Sequence, residues 1–301
     1  MSLMLRQELE QGLTLKAFHF PSTLFKYRSL NDYTLESIEY KSLWLASTNS
    51  LNDPFECLLL LDNDECLRLL FLDKNFTNIF EQKFGLEISQ QELSHIIESQ
   101  KPYETYFQIC KNKGINLNIT AEQQIETIQK RWREIVEETK DNVRICSFSE
   151  KKDSLLMWSH YAHHHQGICV EYDFSEDAAN RAFLQPVYYD NKLFKLKTME
   201  DLTGISHLIA SIVKSKDWEY EDEWRLTISQ SLNGKTEKVN SPTPKAIYLG
   251  PRYSLNNEYK RLQLKRICEE NKIPMFQMKI HSTEYKVVID YQSGGKPPER
   301  P

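Results

Sequence analysis

The sequence predicts an α+β fold, with a mixed, mostly antiparallel sheet, flanking helices and a helical insertion. Three observations predict it. Short strand-like runs are separated by helical stretches that lack the regular beat of a doubly wound sheet. Between about residues 61 and 140 the apolar positions fall at helical spacing: Leu67, Leu70, Phe71, Phe76, Ile79 and Phe80, then Ile125, Ile128, Trp132 and Ile135. Glycine is scarce, 9 in 301 residues, which argues against several glycine-rich phosphate loops.

The elements follow in order. Leu24–Arg28 reads as a strand, Ser29–Tyr40 as a short helix and Leu43–Ala46 as a second strand. Asn52-Asp53-Pro54 is a turn, since Asn and Asp bond their own backbone and Pro fixes φ. Past the insertion, 143–149 is a strand, Ser154–His164 a helix stopped by Gly167, and Ile168–Tyr172 the next strand. Val187–Tyr189 reads as a short strand and Leu202–Lys214 as a helix; the second half of 216–228 reads as a strand. Lys245–Leu249 is a strand, Leu255–Asn271 a helix, and 273–291 holds two strands. Residues 1–291 are thus one α+β domain carrying the insertion, and 292–301, rich in Gly, Pro and charge, a disordered tail.

Composition bounds the function. A net charge of −5 argues against bulk electrostatic coating of nucleic acid. No apolar run approaches a membrane span, and Met1–Leu15 lacks a signal peptide's apolar centre, so a cytoplasmic location is expected. The six cysteines form no C-x-x-C pair and are expected to be buried thiols. P-loop, dinucleotide-fingerprint and nucleophile-elbow motifs are absent from the sequence.

Three stretches can carry chemistry. The first is Lys26-Tyr27-Arg28 with Ser47, Thr48, Asp53 and Glu56: a fixed guanidinium at Arg28 can clamp a phosphate or carboxylate, or can pair with Asp53 or Glu56. The second is Trp158, His160, Tyr161, His163, His164 and His165. On a continuous helix His160 would share a face with His164, a spacing that can present imidazoles to a metal, although no third ligand is evident. The third is Glu219, Glu221, Glu223 and Arg225. Strand periodicity puts all four on one face, and carboxylates so spaced need a cation nearby or a raised pKa; Arg225, Lys214, Lys216 and Arg28 are the available cations.

These stretches, in this order, resemble a bacterial family known as domain of unknown function 2971. The likeness rests on Phe25-Lys26-Tyr27-Arg28, Leu51-Asn52-Asp53-Pro54-Phe55-Glu56, Met157-Trp158-Ser159-His160-Tyr161-Ala162, His165-Gln166-Gly167 and Glu221-Asp222-Glu223-Trp224-Arg225. It does not cover 61–140. It implies abortive-infection or phage-defence settings for some members, and no reaction. The order of Arg28, Ser47-Thr48 and Glu221-x-Glu223 is also similar to that of ADP-ribosyltransferases. Carried over, Arg28 would hold the phosphates of NAD and Ser47 and Thr48 would brace the site. Glu223, or Glu221, would then stabilise an oxocarbenium-like transition state.

The sequence therefore points to an enzyme acting on a nucleotide or nucleic-acid substrate, with ADP-ribosyl transfer from NAD as the specific reaction. A non-catalytic ligand-sensing or interaction module in phage defence, and a metal-dependent hydrolase using His160–His165, are the alternatives. Glu221, Glu223, His160 and His165 are the expected catalytic residues. Lys26, Tyr27, Arg28, Ser47, Thr48, Glu56, Trp158, Tyr161 and Arg225 are expected to bind a small-molecule or nucleotide ligand.

Overall fold

The computed structural model describes residues 20–73, 87–115, 117–140, 142–196, 208–230 and 236–291. The expected tail at 292–301, and the helical pattern at Phe76, Ile79 and Phe80, lie outside the described residues. The strands run β1 (Leu24–Arg28), β2 (Ser42–Trp44), β3 (Ala46–Ser47), β4 (Leu60–Leu61), β5 (Val143–Ser149), β6 (Ile168–Tyr172), β7 (Leu184–Pro186) and β8 (Tyr188–Asp190). They continue as β9 (Lys195–Leu196), β10 (Val213–Ser215), β11 (Glu223–Ser229), β12 (Lys238–Asn240), β13 (Ala246–Leu249), β14 (Met275–Ile280) and β15 (Val287–Ile289). The helices are α1 (Asp32–Glu39), α2 (Asn63–Leu72), α3 (Gln90–Glu98), α4 (Pro102–Asn112), α5 (Ala121–Lys140), α6 (Leu155–His160), α7 (Ala178–Phe183) and α8 (Glu258–Glu270).

The main sheet has the order β15-β14-β13-β6-β1-β5-β11-β7, with β3 pairing to β5 beside this path. Its pairings are antiparallel except β13 with β14, so the sheet is mixed and mostly antiparallel, as an α+β fold requires. Residues paired across an antiparallel ladder share a face, and faces alternate along each strand. One face carries Leu24, Cys146, Phe148, Ile168, Val170, Tyr172, Trp224 and Leu226, and α1 and α8 close over it through Leu35, Ile38, Leu264 and Ile267. The other face is divided. At the β13–β6–β1 end, Phe25, Tyr27, Cys169 and Tyr248 pack under Met157, Trp158 and Ala162 of α6 and its exit. At the β5–β11 end it carries Ser147, Ser149, Glu223 and Arg225 in register.

Helices α2 to α5 occupy the stretch read as helical and share a separate core of Leu67, Phe71, Ile96, Tyr103, Tyr106, Ile109 and Cys110. Helix α5 also reaches back through Trp132, whose indole N–H donates to the Leu59 carbonyl at 2.9 Å. All six cysteine side chains are buried thiols. Among the described residues no helix is long and apolar enough to cross a membrane.

Two expectations are corrected. The helix expected over Ser154–His164 ends at His160, because His163, His164 and His165 take left-handed φ of 46°, 53° and 71°. The stretch read as helical to Lys214 contains a strand at its end, β10, which pairs in parallel with β8; its first part, up to residue 207, lies outside the described residues.

Gly167 stands where the left-handed exit of α6 meets β1. A Cβ there would lie 2.1 Å from the Arg28 carbonyl oxygen and 2.9 Å from the Ala162 backbone. Backbone cannot yield as a side-chain tip can, so Gly167→Ala is expected to destabilise the protein by about 1–3 kcal/mol. Urea denaturation measures this; an unchanged midpoint would show that the junction is looser than drawn here.

Candidate functional site

Arg225 is the centre of the polar face. It is 1% exposed on a central strand, and its five N–H donors are all taken by the protein. Nη1 and Nη2 donate to Glu56 Oε2 and Oε1, each at 2.6 Å. Nε and Nη2 donate to Glu223 Oε1 and Oε2 at 2.8 and 3.0 Å, and Nη1 also donates to the Ser211 carbonyl at 2.6 Å. A guanidinium so buried is tolerable only with this degree of pairing. The carboxylates of Glu223 and Glu56 hold its pKa well above the usual value.

Lys214, from β10, is the second buried cation. Its Nζ donates to Glu221 Oε2 at 2.7 Å and to Glu223 Oε2 at 3.1 Å, with Glu56 Oε1 at 3.9 Å. The Trp218 ring lies 4.7 Å from the ammonium, a cation–π contact. Glu223 resists burial because Arg225 and Lys214 surround it, and its carboxyl is held down at about 2. Glu221 differs. Burial pushes its carboxyl up, against the pull of Lys214.

Charge balance explains the difference. Glu56, Glu221 and Glu223 face Arg225 and Lys214, all between 1% and 6% exposed. Among the groups in direct contact, three carboxylates against two cations leave one negative charge without a paired cation, and Lys26 acts on Glu223 only from beyond ion-pair distance. A proton on one acid removes that charge, and Glu221 is the acid that Arg225 does not touch.

Glu221 reaches the site by an unexpected route. Residues 216–221 form a 3₁₀ turn rather than strand, and Asp222 takes a left-handed conformation, φ 42° and ψ 57°, before β11 begins. Ser149 Oγ fixes the turn by donating to the Glu221 carbonyl at 2.6 Å, and Lys151 pairs with the Asp222 side chain. The kink brings Glu221 beside Glu223 but leaves Glu219 exposed, so the expected four-residue strand face is replaced by three residues. On its far side Glu221 Oε1 accepts from Tyr161 Oη at 2.5 Å, and Tyr161 in turn accepts from the exposed Asn52 amide at 3.0 Å. Burial and the neighbouring carboxyl push the Tyr161 phenol up, so it remains a donor.

A cavity of about 110 Å³ lies against these groups. Its walls include Lys26, Tyr27, Glu56, Tyr161, Lys214, Glu221, Glu223 and Arg225, with Phe25, Phe148 and Met157 as apolar lining. It opens where β1 and β5 part company. Their ladder is one pair long, Phe25 with Ser149, whereas β1 pairs with β6 over five residues. The Lys26 ammonium enters this gap. It donates to the Ser147 carbonyl at 2.8 Å and lies 5.1 Å from the centre of the Phe148 ring. Burial pushes its pKa below the usual lysine value.

Of the residues expected from sequence, Lys26, Tyr27, Glu56, Tyr161, Glu221, Glu223 and Arg225 come together here. Arg28 does not. The register that puts Phe25 opposite Ser149 puts Lys26 and Arg28 on the other face; Lys26 lines the cavity across the gap between β1 and β5, whereas the charge of Arg28 is felt by Tyr172. Glu56, expected to pair with Arg28, pairs with Arg225 instead. Ser47 belongs to β3, paired with Arg144, and Thr48 donates to the Lys140 carbonyl at 3.1 Å; both lie away from the cavity. Trp158 is wholly buried, donates to the Lys152 carbonyl at 2.9 Å and packs edge-on to Tyr27, outside the cavity lining.

His160 is exposed at the end of α6, in ring contact with Tyr220. His165 is half-buried at the junction with β13, where its carbonyl accepts from Arg252 N at 2.9 Å. Because the helix stops at His160, the one-turn spacing that would align it with His164 is never realised. Among the described residues no group of three His, Cys, Asp or Glu side chains is arranged to hold a metal ion. Lys214 and Asn52 also line the cavity, although the sequence offers the first only as a nearby cation and the second only as a turn residue. The 3₁₀ run of aromatic and acidic residues after Lys214 was the available signal.

Residues 157–226 match the family model described as a protein of unknown function, DUF2971. The matched span starts at Met157, includes Tyr161, Lys214, Glu221 and Glu223, and ends just past Arg225, so it covers most of the polar site. This supports the resemblance seen in the sequence. No curated protein and no solved structure matches the chain.

The network makes two quantitative expectations. Glu223→Gln or Glu56→Gln strips a buried guanidinium of a partner and should cost about 3–5 kcal/mol. The Glu223 carboxyl lies lower in the folded than in the unfolded protein, so its contribution is present above the unfolded pKa near 4.5 and fades as pH falls towards about 2. The stability gap between wild type and Glu223→Gln should therefore shrink over that window. Urea titrations at stepped pH measure it, and a gap independent of pH would contradict the assignment.

Proposed function

We propose that the chain is an enzyme in which Glu221, hydrogen-bonded by Tyr161, passes a proton to or from a polar group that enters the cavity between β1 and β11. The charge imbalance of the buried cluster carries this reading: it leaves Glu221 as the acid on which burial favours a proton, at a cavity wall, within reach of a ligand. The aromatic and apolar lining excludes water, which strengthens that acid's interaction with a reacting group.

The substrate is read as nucleotide-like, with only its reacting end admitted. Sites for whole drug-sized ligands run to roughly 300–1,000 Å³, while this cavity has about 110 Å³. With Arg28, Ser47 and Thr48 placed elsewhere, the acid is what remains of the ADP-ribosyl-transfer scheme. NAD stays in the reading as one molecule whose glycosidic carbon such an acid can serve. A phage-defence role, implied by the family resemblance, is consistent with this chemistry and is tested alongside it.

A second reading has its own observation. All five Arg225 donors are occupied by the protein, as in a module that holds a shape rather than turns over a substrate. Glu221→Gln separates the two readings. Gln mimics the neutral acid, so the variant should stay within about 1 kcal/mol of wild-type stability. A thermal-shift panel of NAD, nucleosides, nucleotides and sugar phosphates should give at least one ligand that raises the wild-type Tm and is turned over. Glu221→Gln should abolish the turnover, and with it any protection against phage. Equal turnover in the variant would end the proton-transfer reading, and ligand binding without turnover in either protein would favour the sensing module.

A further inference from the structure

We infer that Lys26 is a nucleophilic amine, forming an imine with a small carbonyl compound, or with the carbonyl end of a larger one, seated beside Glu221. The inference rests on the reading of this cavity as a reaction site and gives that site a substrate class.

The surroundings of the two cavity lysines differ in kind. Lys214 is held by carboxylates at 2.7 and 3.1 Å, which keep an ammonium charged. Among the described residues no carboxylate lies within ion-pair distance of Lys26; its nitrogen meets the Ser147 carbonyl at 2.8 Å, the Phe148 ring face and the Cys146 thiol, while the charges of Arg28 and Glu223 act on it in opposite senses. A carbonyl oxygen accepts one hydrogen bond equally from an amine or an ammonium, so this contact orients the nitrogen without requiring the charge. Burial then favours the neutral form.

The cluster's proton has two homes. Glu221 protonated with Lys26 neutral carries the same total charge as Glu221 ionised with Lys26 charged. The first arrangement is the one that imine formation needs. The Lys26 lone pair attacks the carbonyl carbon, a C–N bond forms as the C=O π pair moves to oxygen, and a proton passes from the attacking nitrogen to that oxygen to give a carbinolamine. Glu221 then donates its proton to the departing hydroxyl, the C–O bond breaks, and water leaves. The product is an iminium facing the newly formed Glu221 carboxylate. One oxygen exits as water, and no oxidant or reductant takes part. The cavity, about 110 Å³, has the volume of roughly four liquid waters, so it suits a compound of a few heavy atoms.

The test uses the full chain with acetone or glycolaldehyde as probe and cyanoborohydride to fix the imine, followed by peptide mass mapping. A buried amine without a carboxylate partner has the larger neutral, nucleophilic fraction. Lys26 should therefore be alkylated faster than the exposed Lys130 and Lys265. Glu221→Gln should slow labelling of Lys26 by about tenfold, within the range of a lost general acid. Labelling of Lys26 no faster than of Lys130 and Lys265 overturns the inference. If that result accompanies turnover that still depends on Glu221, the imine alone fails; if turnover is missing as well, the reaction-site reading fails with it.

Discussion

The site is assembled around one buried guanidinium. Arg225 sits on β11 with its fork closed on Glu56 from one direction and Glu223 from another. Glu56 comes from the turn after Asn52-Asp53-Pro54, where Asp53 accepts from the Phe55 N–H at 2.8 Å and Cys57 takes a left-handed φ of 54°. Arg225 ties this turn to β11, while Cys57 and Leu51 pack it on Val143 and Ile145 of β5, and the turn so held forms one wall of the cavity. Such an ion pair adds little net stability over a well-packed apolar substitute. Its value here is positional. Arg225 fixes Glu223, Glu223 and Glu221 share Lys214, and Lys214 sets the carboxyl that meets Tyr161.

That order of dependence also divides the labour among the acids. Glu223 and Glu56 are committed to Arg225. Glu221 stands one step further out, with a phenol on one oxygen and an ammonium on the other. A group in that position has a proton that burial holds on and Lys214 pulls off. Acids used in catalysis are commonly poised by opposed influences of this kind.

Much of this was legible in the sequence, and what was not has identifiable causes. The apolar, strand-like runs at 143–149 and 168–172 marked β5 and β6 correctly, and the crowding of Glu221, Glu223 and Arg225 among aromatics marked the acidic end of the cluster. Arg28 failed for a reason no single sequence displays: a side chain's face depends on ladder register, and one residue of offset reverses it. The histidines failed because three consecutive left-handed residues end the helix early, and none of them is the glycine that usually announces such a turn. Lys214 was hidden at the end of a stretch whose apolar spacing suggests helix, although pairing with Tyr189 makes it strand. Glu221 was placed correctly beside Glu223 by strand periodicity, yet the chain achieves this through a 3₁₀ turn and a kink at Asp222.

The parting of β1 from β5 has a mechanical corollary. Next to the lone rung at Phe25 and Ser149, the Lys26 side chain stands in for a missing main-chain donor by taking up the Ser147 carbonyl. A long, jointed stem thus serves as a stitch across a seam in the middle of the sheet. Whatever claims that nitrogen for its own bonding also unfastens the stitch, so events in a hollow a few atoms wide are transmitted to the fit between the two halves of the sheet.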